Sequence, residues 1–462
     1  MNSVSYIKRY GTKDKKVSSL LVGNKKKIKK SELTESQKAA DEVFNNWWFH
    51  KNKERKQILR IGGPGGSGKS YLVRYIIEHY GFSESNCYVM AYTGQATNVL
   101  RQSGIMARTI HSSIMIPRDE PVLDKNTHKP IYRNGIPLTT IKFKPLKKLP
   151  KGIKLLIIDE ASFLPLDMEN ILKSFGIPIL EIGDPIQLPP VSRDTQPFHL
   201  RNLDYIMTGS MRQKAGSELL DFCTRFRRLE NIDTRQYHDD VLFLYAQPTL
   251  EETFWKFYPF FKSANVIVTA DNKQRQVYND LYREHILKTN SPFPIEGERM
   301  ICRRNNHTIS LGQYTLVNGT QGICMRDVGR SMVDKGSHVF YMDFQPFTST
   351  DPEEYYGDLM CDTDFLHRPY GVDMFNQYKP GEKFEYAHAI TTHLMQGAQE
   401  DTVMFMDTFK GDQEYLWRLR YTAATRAKKR LIYVIPYSHK PGWSDIRFME
   451  DSLGGVLGDL VR

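Results

Sequence analysis

From Leu33 onward, short apolar runs alternate with stretches in which apolar side chains recur at helical spacing. The runs predict strands at Ile58–Ile61, Cys87–Ala91, Leu155–Ile158 and Ile177–Ile182, each followed by a turn and usually by an amphipathic segment. Such alternation implies an α/β fold built on parallel sheets flanked by helices. A second set, Val266–Thr269, Val403–Met406 and Leu431–Ile435, predicts a second α/β unit. Between them lie stretches of another character. "HKPIYRNGIPLTTIKF" places Asn134-Gly135 between extended runs, a strong hairpin signal, with Ile131, Tyr132 and Ile136 as its apolar surface. "YTLVNGTQGICM" is punctuated by turns and β-like, whereas the run from Thr348 to Glu382 carries no mechanistic reading.

The length of 462 residues suits roughly three structural units. No apolar run approaches the roughly 18 residues that span a bilayer, and the N-terminus lacks the apolar core of a signal peptide, so neither membrane nor secretion is expected. The five cysteines are far apart and without C-x-x-C pairing, which points away from a disulfide framework or zinc site and toward a reducing cytoplasm. The formal charge of +11 is concentrated in residues 1–30, where nine Lys and one Arg face a single Asp. That tail is too poor in apolar residues to bury and reads as disordered, either a solvated extension or a sequence-independent phosphate-binding arm.

The sharpest chemistry lies in "GGPGGSGKS". Gly63, Gly68, Lys69 and Ser70 match G-x-x-x-x-G-K-[ST] between a predicted strand and a predicted helix. With Pro64, Gly65, Gly66 and Ser67 they form a loop whose N–H groups can curl around a β-phosphate; Lys69 reaches the β/γ oxygens and Ser70 can ligate magnesium. The ligand is a nucleoside triphosphate. "LLIIDEAS" then sets Asp159 and Glu160 at the end of an apolar strand, where such an enzyme needs one carboxylate for Mg2+ and another to orient the attacking water.

The ordered set "LTESQKAA", "GGPGGSGKS", "AYTGQA", "RTIHS", "IIDEAS", "GDPIQLPP", "MTGSMRQ", "ITTHLMQGAQ" and "YTAATRAKK" resembles superfamily 1B helicases of the RecD/Dda type and covers residues 33 to 436. The resemblance implies two RecA-like motor domains, residues 31–111 with 151–228 and residues 229–311 with 385–440. A hairpin or pin region (112–150) would interrupt the first and a small β-barrel (312–384) the second, with a C-terminal tail at 441–462. It implies an ATP- and Mg2+-dependent DNA helicase moving 5′-to-3′ on single-stranded DNA in replication, recombination or repair. An RNA helicase or ribonucleoprotein remodeller, and a translocase that displaces proteins without unwinding, share the same motor motifs.

Carried over by motif, the resemblance makes Gln37 the adenine-reading glutamine, Gln187 the γ-phosphate sensor, and Arg212 and Arg426 the arginines that stabilise charge on the transferred phosphoryl group, with Gly397 at the nucleotide. Nucleic-acid contacts fall at Thr93, Thr109, His111, Thr391, His393 and Gln396. The pattern departs at Tyr92, which replaces a proline and offers a stacking face for a base, and at Leu394-Met395, where a charged contact is lost. Implied partners are single-stranded DNA, the DNA fork and replication or recombination proteins. The implied active form is a monomer, and the implied setting is the bacterial host cytoplasm of a phage-encoded enzyme.

Overall fold

The computed structural model describes residues 27–49, 56–121, 123, 127, 129–130, 132–133, 136–137, 139–189, 198–209, 217–228, 230, 232–311, 314–349, 351, 353–368, 381–408, 410–437 and 445–446. Residues 1–26 of the basic tail, Ile131, the Asn134-Gly135 turn and Arg212 lie outside the described residues.

Helix α1 (Glu35–Trp48) begins in a capping box, in which the Thr34 hydroxyl accepts from Gln37 N and the Gln37 side chain accepts from Thr34 N. The chain then alternates β1 (Ile58–Gly62), α2 (Lys69–His79), β2 (Cys87–Ala91), α3 (Gly94–Gln102), β3 (Arg108–Thr109) and α4 (Ile110–Ile114). After an excursion through β4 (Met115–Pro121), β5 (Tyr132–Arg133), β6 (Ile136–Pro137) and β7 (Thr139–Pro145), it returns as β8 (Leu155–Asp159), α5 (Leu166–Ser174), β9 (Ile179–Gly183) and β10 (Tyr205–Ile206). These strands form one parallel sheet in the order β10-β1-β9-β8-β2-β3. Every residue of β8 and β9 is buried, as expected of central strands covered on both faces. Separate apolar clusters pack on the two faces, one around Phe44, Leu72 and Ile76, the other around Ile110, Leu164 and Leu172.

In the excursion, β4 and β7 pair antiparallel from Met115↔Pro145 to Pro121↔Thr139, and β5 pairs with β6 through Arg133↔Ile136. The Asn134-Gly135 step is thus the connection between β5 and β6.

The second unit runs through α6 (Glu218–Arg227), which packs through Phe222 and Phe226 with Val241 and Leu431 and so moves the boundary expected at 228 ahead of residue 218, then β11 (Ile232–Asp233), β12 (Val241–Tyr245), α7 (Leu250–Lys256), α8 (Tyr258–Ser263), β13 (Val266–Thr269) and α9 (Asn272–Leu281). An insertion follows: β14 (Arg299–Cys302), β15 (Asn306–Leu311), β16 (Tyr314–Leu316), β17 (Gln321–Cys324), β18 (Val333–Asp334), β19 (Val339–Pro346), β20 (Tyr356–Asp362), α10 (Thr363–Leu366) and β21 (Phe384–Tyr386). The chain closes with β22 (Ala389–Thr391), β23 (Glu400–Met406), α11 (Gln413–Ala424), β24 (Ala427–Ile435) and β25 (Asp445–Ile446), the last pairing with β11. The order β12-β24-β23-β13-β22, parallel throughout, makes a second RecA-like sheet.

The insertion is an antiparallel sheet, β18-β19-β17-β14-β21 with β20 on β19, and a bridge between Cys361 and Glu382 curls it back on itself. Because β14 pairs with both β17 and β21, this sheet starts at Arg299, ahead of the boundary at 312 expected from sequence. Its strands cross so closely that a Cβ at Gly322 would lie 2.0 Å from Gln345 O. The insertion also packs on the first α/β unit through Val317, next to β16: a Cβ at Gly94 would lie 2.0 Å from Val317 Cγ2.

Candidate nucleotide cleft and nucleic-acid contacts

Strand β1 ends at Gly62, and Gly63 N bonds to Gly183 O (3.0 Å), anchoring the glycine loop between β1 and β9. Gly66 and Gly68 take left-handed φ of 85° and 81°, which admit a tight turn only without a Cβ, and α2 starts immediately at Lys69. Lys69 is 8% exposed, and its ammonium donates to Gly63 O (2.9 Å) and Pro64 O (3.0 Å). The Ser67 hydroxyl is buried with no hydrogen-bond partner.

Across the loop, the Ser70 hydroxyl donates to Asp159 Oδ2 (3.2 Å). Burial, then the neighbouring Glu160, pushes the Asp159 carboxyl up to about 6, against the opposing pull of Lys69. The donor set of one hydroxyl and one carboxylate, short of positive charge, fits Mg2+, which takes few protein ligands and fills its octahedron with phosphate oxygens and water. No cluster of three or more His, Cys, Asp or Glu suited to a metal occurs among the described residues. Glu160 is held at φ 52°, rare for a side-chain-bearing residue, and its Oε2 is buried without a partner.

Gln187 donates to Asp184 Oδ2 (3.3 Å) and leaves its Oε1 unpartnered. The same Asp184 oxygen accepts from the Tyr421 hydroxyl (3.0 Å) on α11 of the second motor, and Gly65 N lies 3.4 Å from that hydroxyl. Nearby, Arg418 Nη1 donates to Pro185 O (2.9 Å) and Ile186 O (3.1 Å), Leu188 N donates to the Thr422 hydroxyl (2.9 Å), and Gln396 Nε2 donates to Leu188 O (3.4 Å). Sequence reasoning missed Asp184, Arg418, Tyr421 and Thr422. All four belong to or adjoin "GDPIQLPP" and "YTAATRAKK", but their pairing appears only when the two domains meet.

Arg426 is buried and held by Thr422 O (3.0 Å) and the Thr425 hydroxyl (3.0 Å). It lines a cavity of about 740 Å³ together with Gly65, Gly66, Gly68, Lys69, Ser70, Asp159, Glu160, Gln187 and Gly397, so residues from both motors face one space. Gln37 sits against the glycine loop. It is fully buried and absent from that lining; its Oε1 accepts from Thr34 N (2.9 Å) and its Nε2 donates to Gly68 O (3.2 Å), so it braces the loop.

The residues expected at nucleic acid gather at the carboxyl ends of parallel strands. Thr93 follows β2 and caps α3, accepting from Ala96 N (3.2 Å); Thr109 ends β3 and caps α4, accepting from Ser112 N (3.2 Å). Both hydroxyls thus do local structural work. The Tyr92 ring lies 5.7 Å from that of His111, and His111 lies 5.8 Å from the exposed Phe143 on β7, an aromatic row leading to the hairpin. Thr391 ends β22 and is buried, and burial lowers the pKa of His393.

The AAA-domain family matches residues 49–193. The chain is 26% identical to the ATP-dependent DNA helicase dda of Enterobacteria phage T4 over 288 residues, 59% of this chain and 61% of the relative. It is 29% identical to an uncharacterized protein of Acanthamoeba polyphaga mimivirus over 160 residues, 30% of each. The chain therefore spans less than two thirds of the length of the curated relatives it matches. In structure it resembles Pif1 from Bacteroides bound to single-stranded DNA (15% identity, TM-score 0.50, covering 92% of this chain and 96% of that one). It also resembles Pif1 in a structure of two coordinating helicases at forked double-stranded DNA (16% identity, TM-score 0.50, 93% and 98%). The fold is Pif1-helicase-like, and the likenesses agree with the superfamily 1B resemblance of the ordered motifs.

Proposed function

We propose that this chain is an ATP-dependent DNA helicase that moves 5′-to-3′ along single-stranded DNA and unwinds duplex. The observation that carries the reading is the single cavity in which Lys69, Ser70, Asp159, Glu160 and Gln187 of one motor face Gly397 and Arg426 of the other. A site divided between two domains couples hydrolysis to their relative movement.

In this reading the loop N–H groups and Lys69 hold the β- and γ-phosphates, and Ser70 and Asp159 hold Mg2+. Bound magnesium would supply a Lewis acid that offsets the charge of the phosphates. Glu160, displaced from ordinary backbone geometry and with an unengaged oxygen, orients the attacking water. Arg426 brings a fixed positive charge from the second motor to the transferred phosphoryl group, and Arg212 is proposed for the same task from the first. Asp184 and Gln187 pass the state of the cleft to Tyr421. Tyr92, Thr93, Thr109, His111, Thr391, His393 and Gln396 are proposed to position one strand without reading its sequence. The T4 and Bacteroides relatives, a DNA helicase and a protein bound to single-stranded DNA, favour DNA as the track.

The test pairs site variants with tailed substrates. Lys69→Ala is expected to lose tight ATP binding, and Glu160→Gln to retain ATP while strand-stimulated turnover falls at least 100-fold, roughly the cost of losing one positioned general base. Near-normal hydrolysis in both would sink the assignment. Displacement of 5′-tailed but not 3′-tailed duplexes supports the polarity, and faster displacement on RNA than on matched DNA tracks would replace DNA as the substrate.

A further inference from the structure

Between Lys144 and Lys154 the chain returns from the hairpin excursion to the first parallel sheet, and five of these eleven residues are lysine with no acid among them. Residues 1–30, with nine Lys and one Arg against one Asp, hold +9 of the chain's formal +11. The +2 that remains is less than the +5 of this short segment, so all the rest of the chain is net negative. A lysine run on a loose loop would be a solvated face, but this one is built into the domain. Leu146 N donates to Ile114 O (2.8 Å) where the hairpin leaves α4, and Lys154 N donates to Asn86 O (2.7 Å) where β8 begins. Between these ties Leu149 and Ile153 pack against the apolar cluster of Ile110, Leu156 and Leu164. Gly152, at φ 110°, comes so near Ser85 that a Cβ would lie 3.1 Å from the Ser85 carbonyl oxygen. With the apolar side chains spent on the core, Lys147, Lys148, Lys151 and Lys154 stand exposed. Lys144 pairs with Glu120 (2.9 Å), whereas the other four ammonium groups make no ion pair or hydrogen bond among the described residues.

We propose that this lysine strip holds the phosphate backbone of duplex DNA that has not yet been parted, an inference that rests on the helicase reading above. Two observations favour duplex over the tracked single strand. Proteins that hold single strands combine a basic groove with aromatic rings on which bases stack. Residues 144–154 contain no aromatic side chain, and the nearest ring along the chain, Phe143, belongs to the row that runs to His111. Position gives the second observation. Thr93 and Thr109 lie at the carboxyl ends of the parallel strands, whereas the strip starts at the hairpin and descends to the amino end of β8, the opposite edge of the sheet. The path from Lys147 to Lys154 reaches at most about 25 Å. That is less than one turn of duplex, about 34 Å, so the four lysines fit along one side of a single turn. Their contacts would be to phosphates alone and therefore indifferent to sequence. The consequence is that the two sides of the hairpin hold different forms of the same nucleic acid, and a tailed duplex binds more tightly than its tail alone.

The experiment titrates the full chain with a blunt DNA duplex, a 5′-tailed duplex and the single-stranded tail alone, each over a range of salt. The variant combines Lys147→Gln, Lys148→Gln, Lys151→Gln and Lys154→Gln. It is expected to flatten the slope of log affinity against log salt for the blunt duplex by about 3 to 4, since each contacted phosphate contributes about 0.9. Duplex affinity near 0.1 M salt should fall at least tenfold, on the order of what several lost phosphate contacts cost, while single-strand affinity and strand-stimulated hydrolysis stay within about twofold. The N-terminal lysines act equally in parent and variant, so the difference in slope reports the strip. A second variant with Arg at the same four positions keeps the charge and should bind duplex as the parent does. An unchanged duplex slope would overturn the proposal and leave a solvated face. Equal losses on duplex and single strand would also overturn it, by giving the strip to the tracked strand. So would an arginine variant that hydrolyses ATP normally and still fails to hold duplex. The functional reading fails separately: single-stranded DNA would then leave hydrolysis by the parent protein unstimulated, whatever the duplex titration gives.

Discussion

The Lys69 ammonium gives its hydrogen bonds to the carbonyl oxygens of Gly63 and Pro64, so an arriving phosphate replaces neutral partners. This residue, with Ser70, Asp159 and the glycines, was legible in the sequence because chain connectivity alone fixes a loop between a strand and a helix. Gln37 was legible as a position beside the loop, whereas its bonds to Thr34 and Gly68 appear only in the packed structure. His388 was not legible at all. Its ring stacks on Tyr282 at 4.1 Å, and burial lowers its pKa, with Glu298 pulling weakly the other way. The unfolded chain takes up a proton as pH falls through about 6.5 while the folded chain resists, so this residue withdraws stability as pH falls below that point. Urea unfolding at pH 7.5 and 5.5 should therefore show a smaller loss on acidification in His388→Gln than in the parent. The substitution itself should cost about 1 kcal/mol at pH 7.5 through the lost ring stack.

At the scale of elements, the central strands were readable because β8 and β9 are buried on both faces and so are apolar apart from Asp159 and Glu181. Edge strands such as β3 and β10 are two residues long and leave no periodic trace. The start of the inserted sheet was missed for a related reason: β14 is as apolar as a motor strand, and only its pairing with β17 and β21 assigns it elsewhere. The hairpin excursion has a readable turn and a stem, β4 with β7, whose exposed Ile116 and Phe143 stand on its two opposite faces. A two-stranded arm rising from the first α/β unit suits, under the proposed function, the task of parting a duplex end. Replacing residues 128–143 by a short Gly-Ser linker should cut unwinding at least tenfold, about the effect of a lost 1.4 kcal/mol in a rate-limiting step. Strand-stimulated hydrolysis and single-strand translocation should stay within about twofold. Displacement at the parental rate would remove the hairpin from the fork.

At the scale of the whole molecule, two α/β motors meet along the segment Asp184–Leu188, and that meeting could not be read from either motif alone. Tyr421→Phe deletes one hydroxyl shared between Asp184 and Gly65. Removing it should lower strand-stimulated turnover about three- to tenfold, the kinetic equivalent of one hydrogen bond, while ATP affinity changes less than twofold. Stopped-flow binding beside steady-state hydrolysis separates the two.

The same segment also decides how the molecule bears load. The bonds from Tyr421, Arg418, Thr422 and Gln396 all end on Asp184–Leu188, so tension that draws the motors apart is shared among them side by side. Bonds loaded side by side hold together and then give way together, whereas bonds in series yield one after another. A fastener of this kind is stiff up to a threshold and then releases. Under an opposing force, the advance of this protein along its strand should therefore break into abrupt pauses and slips, and Tyr421→Phe should move the slip threshold to lower force without softening the motion below it.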